Sequence, residues 1–237
     1  MNIDDVKMEA SGSENALCEI FQRQQELMMK YHSIEKGNGL LVTDKVPVDL
    51  HEAAGQYRLK DFAWRITEEI GEALEAFEIH PDYPQHFDEE MADALHFLTE
   101  FTILSGVTAE ELVKLANGST REIEGLASLY IQAGVKPIPY SDHSNQFIAI
   151  LGRHYSSLAL MTGVFIESLA KTCNTLKNKP WKQTQMMTDV EYFKKNLAET
   201  WIRFIQICQV AQIKPAYLYD LYFKKNTVNQ FRQRSNY

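Results

Sequence analysis

Glycine, proline and cysteine are all scarce in this 237-residue chain, which has 11 glycines, 7 prolines and 3 cysteines. Three cysteines far apart in sequence do not form a disulfide framework, and no Cys-x-x-Cys motif is present. No apolar run approaches the length of a membrane span, and the polar, acidic residues 1–15 do not resemble a signal peptide. We therefore expect a reduced, cytoplasmic protein that does not bind membranes.

Basic charge is also in short supply. The chain has 24 Lys and Arg against 32 Asp and Glu, which gives a net charge of −8. A nucleic-acid polymer or an anionic membrane requires a dominant basic field, so neither is an expected partner. The charge is uneven, because acidic residues crowd into 68–93 whereas the last fourteen residues are basic. The position of the acidic residues is therefore more informative than the net charge.

Strong helix formers are abundant, and apolar residues recur every three or four positions. We therefore predict an all-α protein, a helical bundle that forms one domain over 1–237, with 1–13 flexible. A capping box at Thr108 predicts the start of a short helix. The other helices are predicted at about 14–31, 59–78, 88–104, 146–176, 188–212 and 215–226.

The segment 92–112 is similar to 198–218 at a constant offset of 106 residues. Each segment has a long amphipathic helix, a short break and the start of another helix. Any two amphipathic helices share some of this pattern. The alternative is an internally duplicated four-helix unit, in which Asp93 corresponds to Glu199.

Two pairs of acidic residues border the apolar faces of consecutive predicted helices. Glu69 and Glu72 lie on one helix, and Glu90 and Asp93 lie on the next, each pair one turn apart. Carboxylates beside a buried face repel one another and are costly unless a cation neutralises them. Ligands that are all oxygen favour Mg²⁺ or Mn²⁺ over Zn²⁺. A single Glu-x-x-Glu is typical of a solvated face, so the prediction depends on the two pairs lying together.

Other interpretations of these helices are weaker. Asp93-x-x-His96 resembles half of a di-iron carboxylate site, but the chain has no Glu-x-x-His to complete it. The sequence offers no obvious Lys or Arg except Arg65 on the helix faces that carry the two acidic pairs. A divalent cation is therefore the favoured counter-charge for the carboxylates.

These motifs resemble those of a known superfamily. Glu69-Ile-Gly-Glu72 followed by Glu90-x-x-Asp93 resembles the ExxE and ExxD signature of the all-α nucleoside triphosphate pyrophosphohydrolases. These include the dimeric dUTPases, the phage dCTP/dUTP pyrophosphatases and the MazG proteins. IFQRQQELMMKY, EEMADALHFL and DLYFKKNTVNQFRQRSNY resemble the first helix, the ExxD helix and the closing motif of the dimeric dUTPases. The chain departs from them where EIHPDYPQHF replaces a Lys- and Trp-rich segment, and where Asn236 replaces a glycine.

The resemblance implies a homodimer that hydrolyses dUTP, with Mg²⁺ or Mn²⁺, to dUMP and pyrophosphate. Such an enzyme keeps uracil out of DNA and supplies dUMP for thymidylate synthesis, and dUDP is a further candidate substrate. The alternatives are a dCTP or mixed dCTP/dUTP pyrophosphatase and a broader MazG-like enzyme. The alternative that is not an enzyme is a helical regulatory protein that has kept the fold and lost catalysis.

The resemblance also implies roles for individual residues. Glu69, Glu72, Glu90 and Asp93 would bind the metal, and Glu69 would be the catalytic base. The segment 220–237 would close over the substrate. The expected substrate-binding residues are Gln24, His96, Phe97, Lys224, Lys225, Asn229, Arg232 and Tyr237. Without the resemblance, a lone helical histidine, a phenylalanine on an apolar face and a basic C-terminus are more often structural or solvated.

Overall fold

The structure, a computed structural model, describes residues 16–79, 84–117, 129, 144–179 and 181–234. Within these ranges it consists of seven α-helices and no strand, which confirms the all-α prediction. The predicted flexible segment 1–13 and Tyr237 lie outside the described residues. The helices are α1 (Ala16–Gly37), α2 (Ala53–Ile79), α3 (Pro84–Leu104), α4 (Ala109–Asn117), α5 (Ser144–Asn174), α6 (Val190–Val210) and α7 (Pro215–Arg234).

Two antiparallel helix pairs form the centre of the fold. Phe62 of α2 contacts Phe97 of α3, while Phe77 contacts Phe87 nearer the connection. Residues therefore pair in opposite order along α2 and α3. In the second pair, Phe165 of α5 packs against Phe204 of α6. One continuous apolar core joins the two pairs.

A hydrogen bond inside this core joins the two halves of the chain. Trp201 of α6 is fully buried, and its Nε1 donates to Thr102 Oγ1 of α3 at 2.9 Å. Because a buried indole N–H without a partner would be costly, this bond lets a large aromatic side chain fill the core.

No helix within the described ranges combines the length and the hydropathy that crossing a membrane requires.

The last helix differs from its predicted length. The prediction that it ends at about Asn226 was wrong, because α7 continues to Arg234. No glycine or proline interrupts this stretch, and Tyr222, Asn226 and Val228 are buried. The hydroxyl of Tyr222 donates to the Ile20 carbonyl of α1 at 3.0 Å. Since α7 packs on α1 and α3, the basic residues that it carries up to Arg234 lie on a helix beside the one that carries Glu90 and Asp93.

The repeated pattern predicted from the sequence is present in the structure. Helices α3 and α6 begin and end at positions that differ by 106 (190 − 84 and 210 − 104), and the next helices begin with the same offset. The two breaks share a hydrogen bond, Val107 N to Thr102 O and Ile213 N to Cys208 O. Gly106 and Gln212 both have positive φ there, at 79° and 62°. A common origin of the two halves stays a prediction.

The start of α2 packs closely against the preceding loop. A Cβ atom added at Gly55 would lie 2.4 Å from the Asp49 carbonyl oxygen. Gln56 is also buried, and its Nε2 donates to Leu50 O and to Thr188 Oγ1. These contacts explain why α2 begins at Ala53, before the predicted start at 59.

Candidate active site

Three acidic side chains meet where α2 and α3 face each other. Carboxylate oxygens of Glu69, Glu72 and Glu90 all lie within 4.8 Å of one another. Glu69 and Glu90 are half-buried, whereas Glu72 is exposed. The antiparallel packing produces this arrangement, because it brings the last turns of α2 beside the first turns of α3.

The cluster shows the electrostatic strain expected of like charges. Burial, together with the charges of Asp93, Glu72 and Glu90, raises the pKa of Glu69 from 4.5 to about 8. Burial also raises the pKa of Glu90, an effect that Lys225 opposes. At neutral pH the cluster would either keep a proton or bind a cation.

Asp93 is the fourth predicted ligand, and a lysine from the C-terminal helix holds it. Lys225 Nζ lies 2.6 Å from Asp93 Oδ2 and 3.8 Å from Glu89 Oε2. Arg65 was the one basic residue that the sequence placed on the faces of α2 and α3, and α7 adds Lys225 from 132 residues away. Burial lowers the pKa of Lys225, but the carboxylates around it, Asp93 above all, more than offset this effect, so the pKa is raised and the side chain remains charged.

A cavity of about 260 Å³ opens beside this cluster. Asp93, His96 and Glu100 follow one another at one-turn intervals along α3, so one wall extends about 10 Å from the acidic cluster. The complete lining is Gln24, Leu27, Tyr31, Arg65, Glu69, Asp93, His96, Phe97, Glu100, Asn229 and Arg232. Four helices, α1, α2, α3 and α7, thus contribute side chains to one concave site.

A hydrogen-bonded chain of three buried side chains includes two residues of the cavity wall, Gln24 and Glu100. The Tyr222 hydroxyl donates to Gln24 Oε1 at 2.9 Å, and Gln24 Nε2 donates to Glu100 Oε2 at 2.8 Å. All three side chains are buried. Burial raises the pKa of Glu100 to about 7, although the bond from Gln24 and the charges of Arg58 and Arg65 oppose this rise.

His96 is held in a single orientation beside this chain. Its Nδ1 lies 2.8 Å from the Ala92 carbonyl, which can only accept, so Nδ1 carries the hydrogen. Its ring stacks on Tyr222, with centroids 4.0 Å apart. Burial lowers the pKa of His96, which keeps the ring neutral and makes Nε2 an acceptor. Nε2 is buried and has no hydrogen-bond partner among the described residues.

Arg65 lies against the aromatic side of the cavity. Its guanidinium carbon is 5.9 Å from the centroid of Phe97 and 4.7 Å from that of Phe62. The same group pairs with Asp61 at 2.8 Å and with Glu35 at 3.3 Å. These ion pairs fix a positive charge beside a half-buried phenylalanine ring.

The remaining predicted residues divide into three groups. Asn229 and Arg232 line the cavity, as expected. Lys224 and Lys225 are not among the residues that line it, although Lys225 reaches Asp93 from one side. Tyr237 lies outside the described residues.

Glu100 lines the cavity but was not among the site residues predicted from the sequence. The available signal was its position one turn after His96, among the apolar positions of α3. A lone glutamate on a predicted apolar face is a sign of a buried polar contact. It did not identify the partner, since Gln24 lies 76 residues away in the chain.

The family model described as dUTPase, the all-α dimeric dUTPase family, matches residues 16–237. No curated protein and no solved structure matches the chain. The match includes all four helices that line the cavity and every site residue predicted from the sequence.

Proposed function

The chain belongs to the dUTPase family, and on that premise we propose that the cavity beside Glu69 and Asp93 is its active site. Membership makes the protein a dUTP pyrophosphohydrolase, an enzyme whose family uses a divalent metal. The products would be dUMP and pyrophosphate. The residue roles that follow are supported by the geometry around this cavity.

The acidic cluster fits a divalent cation. Its donors are carboxylate oxygens close enough to share one ion, and their mutual repulsion is what a cation would relieve. We assign Glu69, Glu72, Glu90 and Asp93 as the residues that hold Mg²⁺, with Mn²⁺ as a substitute. When bound, the ion would offset phosphate charge and make a water molecule more acidic.

Glu69 is the residue assigned to accept a proton from the attacking water. A general base must lie within reach of the attacking water. Of the three clustered glutamates, Glu69 is the one that lines the cavity, whereas its neighbour Glu68 is exposed and accepts a hydrogen bond from Trp64. Glu68 is therefore assigned no part in the reaction.

Basic residues of α7 are assigned to the triphosphate. Arg232 lines the cavity and can make paired hydrogen bonds to phosphate oxygens. Lys225 lies beside Asp93, where its charge would reach both carboxylate and phosphate. Lys224 would contribute at longer range. The segment 220–237, with Tyr237 at its end, would cover the bound nucleotide.

The opposite part of the cavity is assigned to the nucleoside. Gln24 and Asn229 offer donor and acceptor groups for a pyrimidine edge. The unpartnered Nε2 of His96 can accept a hydrogen bond from a sugar hydroxyl. Phe97 presents a ring that would pack against deoxyribose and leave no room for a 2′-hydroxyl.

The biological setting follows from the reaction. An enzyme that removes dUTP keeps uracil out of DNA and produces dUMP for thymidylate synthesis. We also propose that the chain acts as a homodimer in the cytoplasm. Trp64 supports an interface on α2, because this large side chain is 63% exposed.

One observation carries the proposal: a single cavity joins acidic, basic and amide side chains that come from α1, α2, α3 and α7. The test is pyrophosphate release from the four standard dNTPs, dUTP and dUDP, with Mg²⁺ and with EDTA. We expect Mg²⁺-dependent hydrolysis with a preference for dUTP. Preference for dCTP would favour the pyrophosphatase alternative, and no turnover of any nucleotide would refute the proposal.

A further inference from the structure

A buried carboxyl group lies in the cavity wall away from the residues assigned to the metal. Glu100 is only 3% exposed and lies two turns of α3 beyond Asp93. Its Oε2 accepts the hydrogen bond from Gln24. Its Oε1 has no hydrogen-bond partner within the part of the chain that the structure describes. The cavity therefore contains one carboxyl oxygen that is available to a ligand.

The hydrogen bonds among Tyr222, Gln24 and Glu100 determine which donor and acceptor groups this part of the wall presents to a ligand. An ionised carboxylate only accepts, so Gln24 must turn its Nε2 towards Glu100 and its Oε1 towards the Tyr222 hydroxyl. Gln24 then has one amide hydrogen left. A free acceptor on Glu100 thus lies beside a free donor on Gln24.

We propose that Glu100 is a specificity-determining residue, whose carboxylate accepts the N3–H of uracil and thereby selects dUTP over dCTP. The inference rests on the function proposed above. Uracil presents the acceptor O4 beside the donor N3–H, which complements this donor and acceptor. Cytosine in the same pose would place its N3 lone pair against the carboxylate and its amino group against the Gln24 N–H. Anchoring of the triphosphate at the acidic cluster opposes a shift of the base into another pose.

The charge state of Glu100 should therefore control selectivity. Arg58 and Arg65 approach it from α2, Tyr31 and Glu35 from α1, Tyr222 from α7 and His96 from its own helix. The net result of burial and these groups is a pKa of about 7. Below this pH the carboxyl gains a hydrogen that can donate to cytosine N3. The preference for dUTP should consequently weaken as the pH falls.

The test compares kcat/KM for dUTP and dCTP in the wild type and in Glu100→Gln, from about pH 6 to about pH 8. Changes in metal binding or in the protonation of the catalytic base affect both substrates equally, so they cancel in the ratio of the two kcat/KM values. The glutamine must turn its carbonyl to the Gln24 N–H, so it presents a donor that suits cytosine. We expect the ratio at about pH 8 to fall about 10- to 100-fold, mainly through KM, and to lose its pH dependence.

Matched controls separate this role from a structural one. Glu75→Gln makes the same change at an exposed position of α2 and should leave the ratio unchanged. A purely structural effect of Glu100→Gln would lower both kcat/KM values equally. An unchanged ratio in Glu100→Gln, or a wild-type ratio that does not vary with pH, would overturn the proposal. The wild-type profile is decisive even if the variant does not fold, and a wild type that hydrolyses neither nucleotide would refute the proposed function instead.

Discussion

The substitution Glu69→Gln should make the metal-free protein more stable, although it removes the residue assigned as the base. Burial and the carboxylates of Asp93, Glu72 and Glu90 raise the pKa of Glu69 from 4.5 to about 8, so ionising it in the folded state costs free energy. At about 1.4 kcal/mol for each pKa unit, this cost has an upper limit of about 5 kcal/mol. Glu69 is partly exposed and water screens its charge, so we expect a gain of about 2 kcal/mol.

The pH dependence of this gain has a definite sign. Between pH 4.5 and about 8 the folded protein binds more protons at Glu69 than the unfolded chain does. The stability of the wild type therefore falls as the pH rises through this window. Because glutamine does not titrate, the advantage of Glu69→Gln should be small near about pH 5 and complete above about pH 8. Urea unfolding in EDTA, followed by circular dichroism, measures the difference.

The neighbouring position supplies the control. Glu68 is exposed, and a glutamine there can still accept the hydrogen bond from Trp64, so Glu68→Gln should change stability by less than about 0.5 kcal/mol. Adding Mg²⁺ should stabilise the wild type more than Glu69→Gln, because the variant has lost a ligand. The reasoning would be refuted if Glu69→Gln were less stable than the wild type in EDTA at high pH.

Three further predictions concern the fold and the site. Gly55→Ala should destabilise the protein by about 2 kcal/mol in urea unfolding, because its Cβ would lie 2.4 Å from the Asp49 carbonyl oxygen; an unchanged midpoint would contradict this packing. Asp93→Asn should lower kcat for dUTP at least about 100-fold without changing the far-ultraviolet spectrum, and near-normal rates would remove Asp93 from the site. Deleting residues 229–237 should raise KM and lower kcat, since the cavity side chains of Asn229 and Arg232 are lost; unchanged kinetics would show that this segment contributes to neither binding nor catalysis.

Local patterns in the sequence predicted the helices but not all of their ends. The spacing of apolar residues identified α1, α2, α3, α5 and α6, and the capping box at Thr108 identified α4. The first turns of α2 were missed because Gly55 and Gln56 resemble loop residues and are buried only through contacts with 49–50 and Thr188. The end of α7 was missed for a similar reason, since its polar sequence is helical where α1 and α3 cover it.

The site was predictable where it depended on spacing within one helix. Residues three apart share a helix flank, which placed Glu69 beside Glu72 and Glu90 beside Asp93. The antiparallel packing of α2 on α3 then brought Glu69, Glu72 and Glu90 together. The ion pair between Lys225 and Asp93 and the bond between Gln24 and Glu100 join residues far apart in the chain. These contacts form only because α7 and α1 pack against α3. No local pattern in a single sequence indicates which distant helices pack together.

A crystal structure of the protein with Mg²⁺ and a non-hydrolysable dUTP analogue would test the assignment of the site most directly. We predict that the cation binds to Glu69, Glu72, Glu90 and Asp93 and that the triphosphate lies between them and Arg232. The uracil edge should contact Gln24 and Glu100. A cation bound away from the carboxylate cluster, or a nucleotide bound outside this cavity, would contradict the assignment.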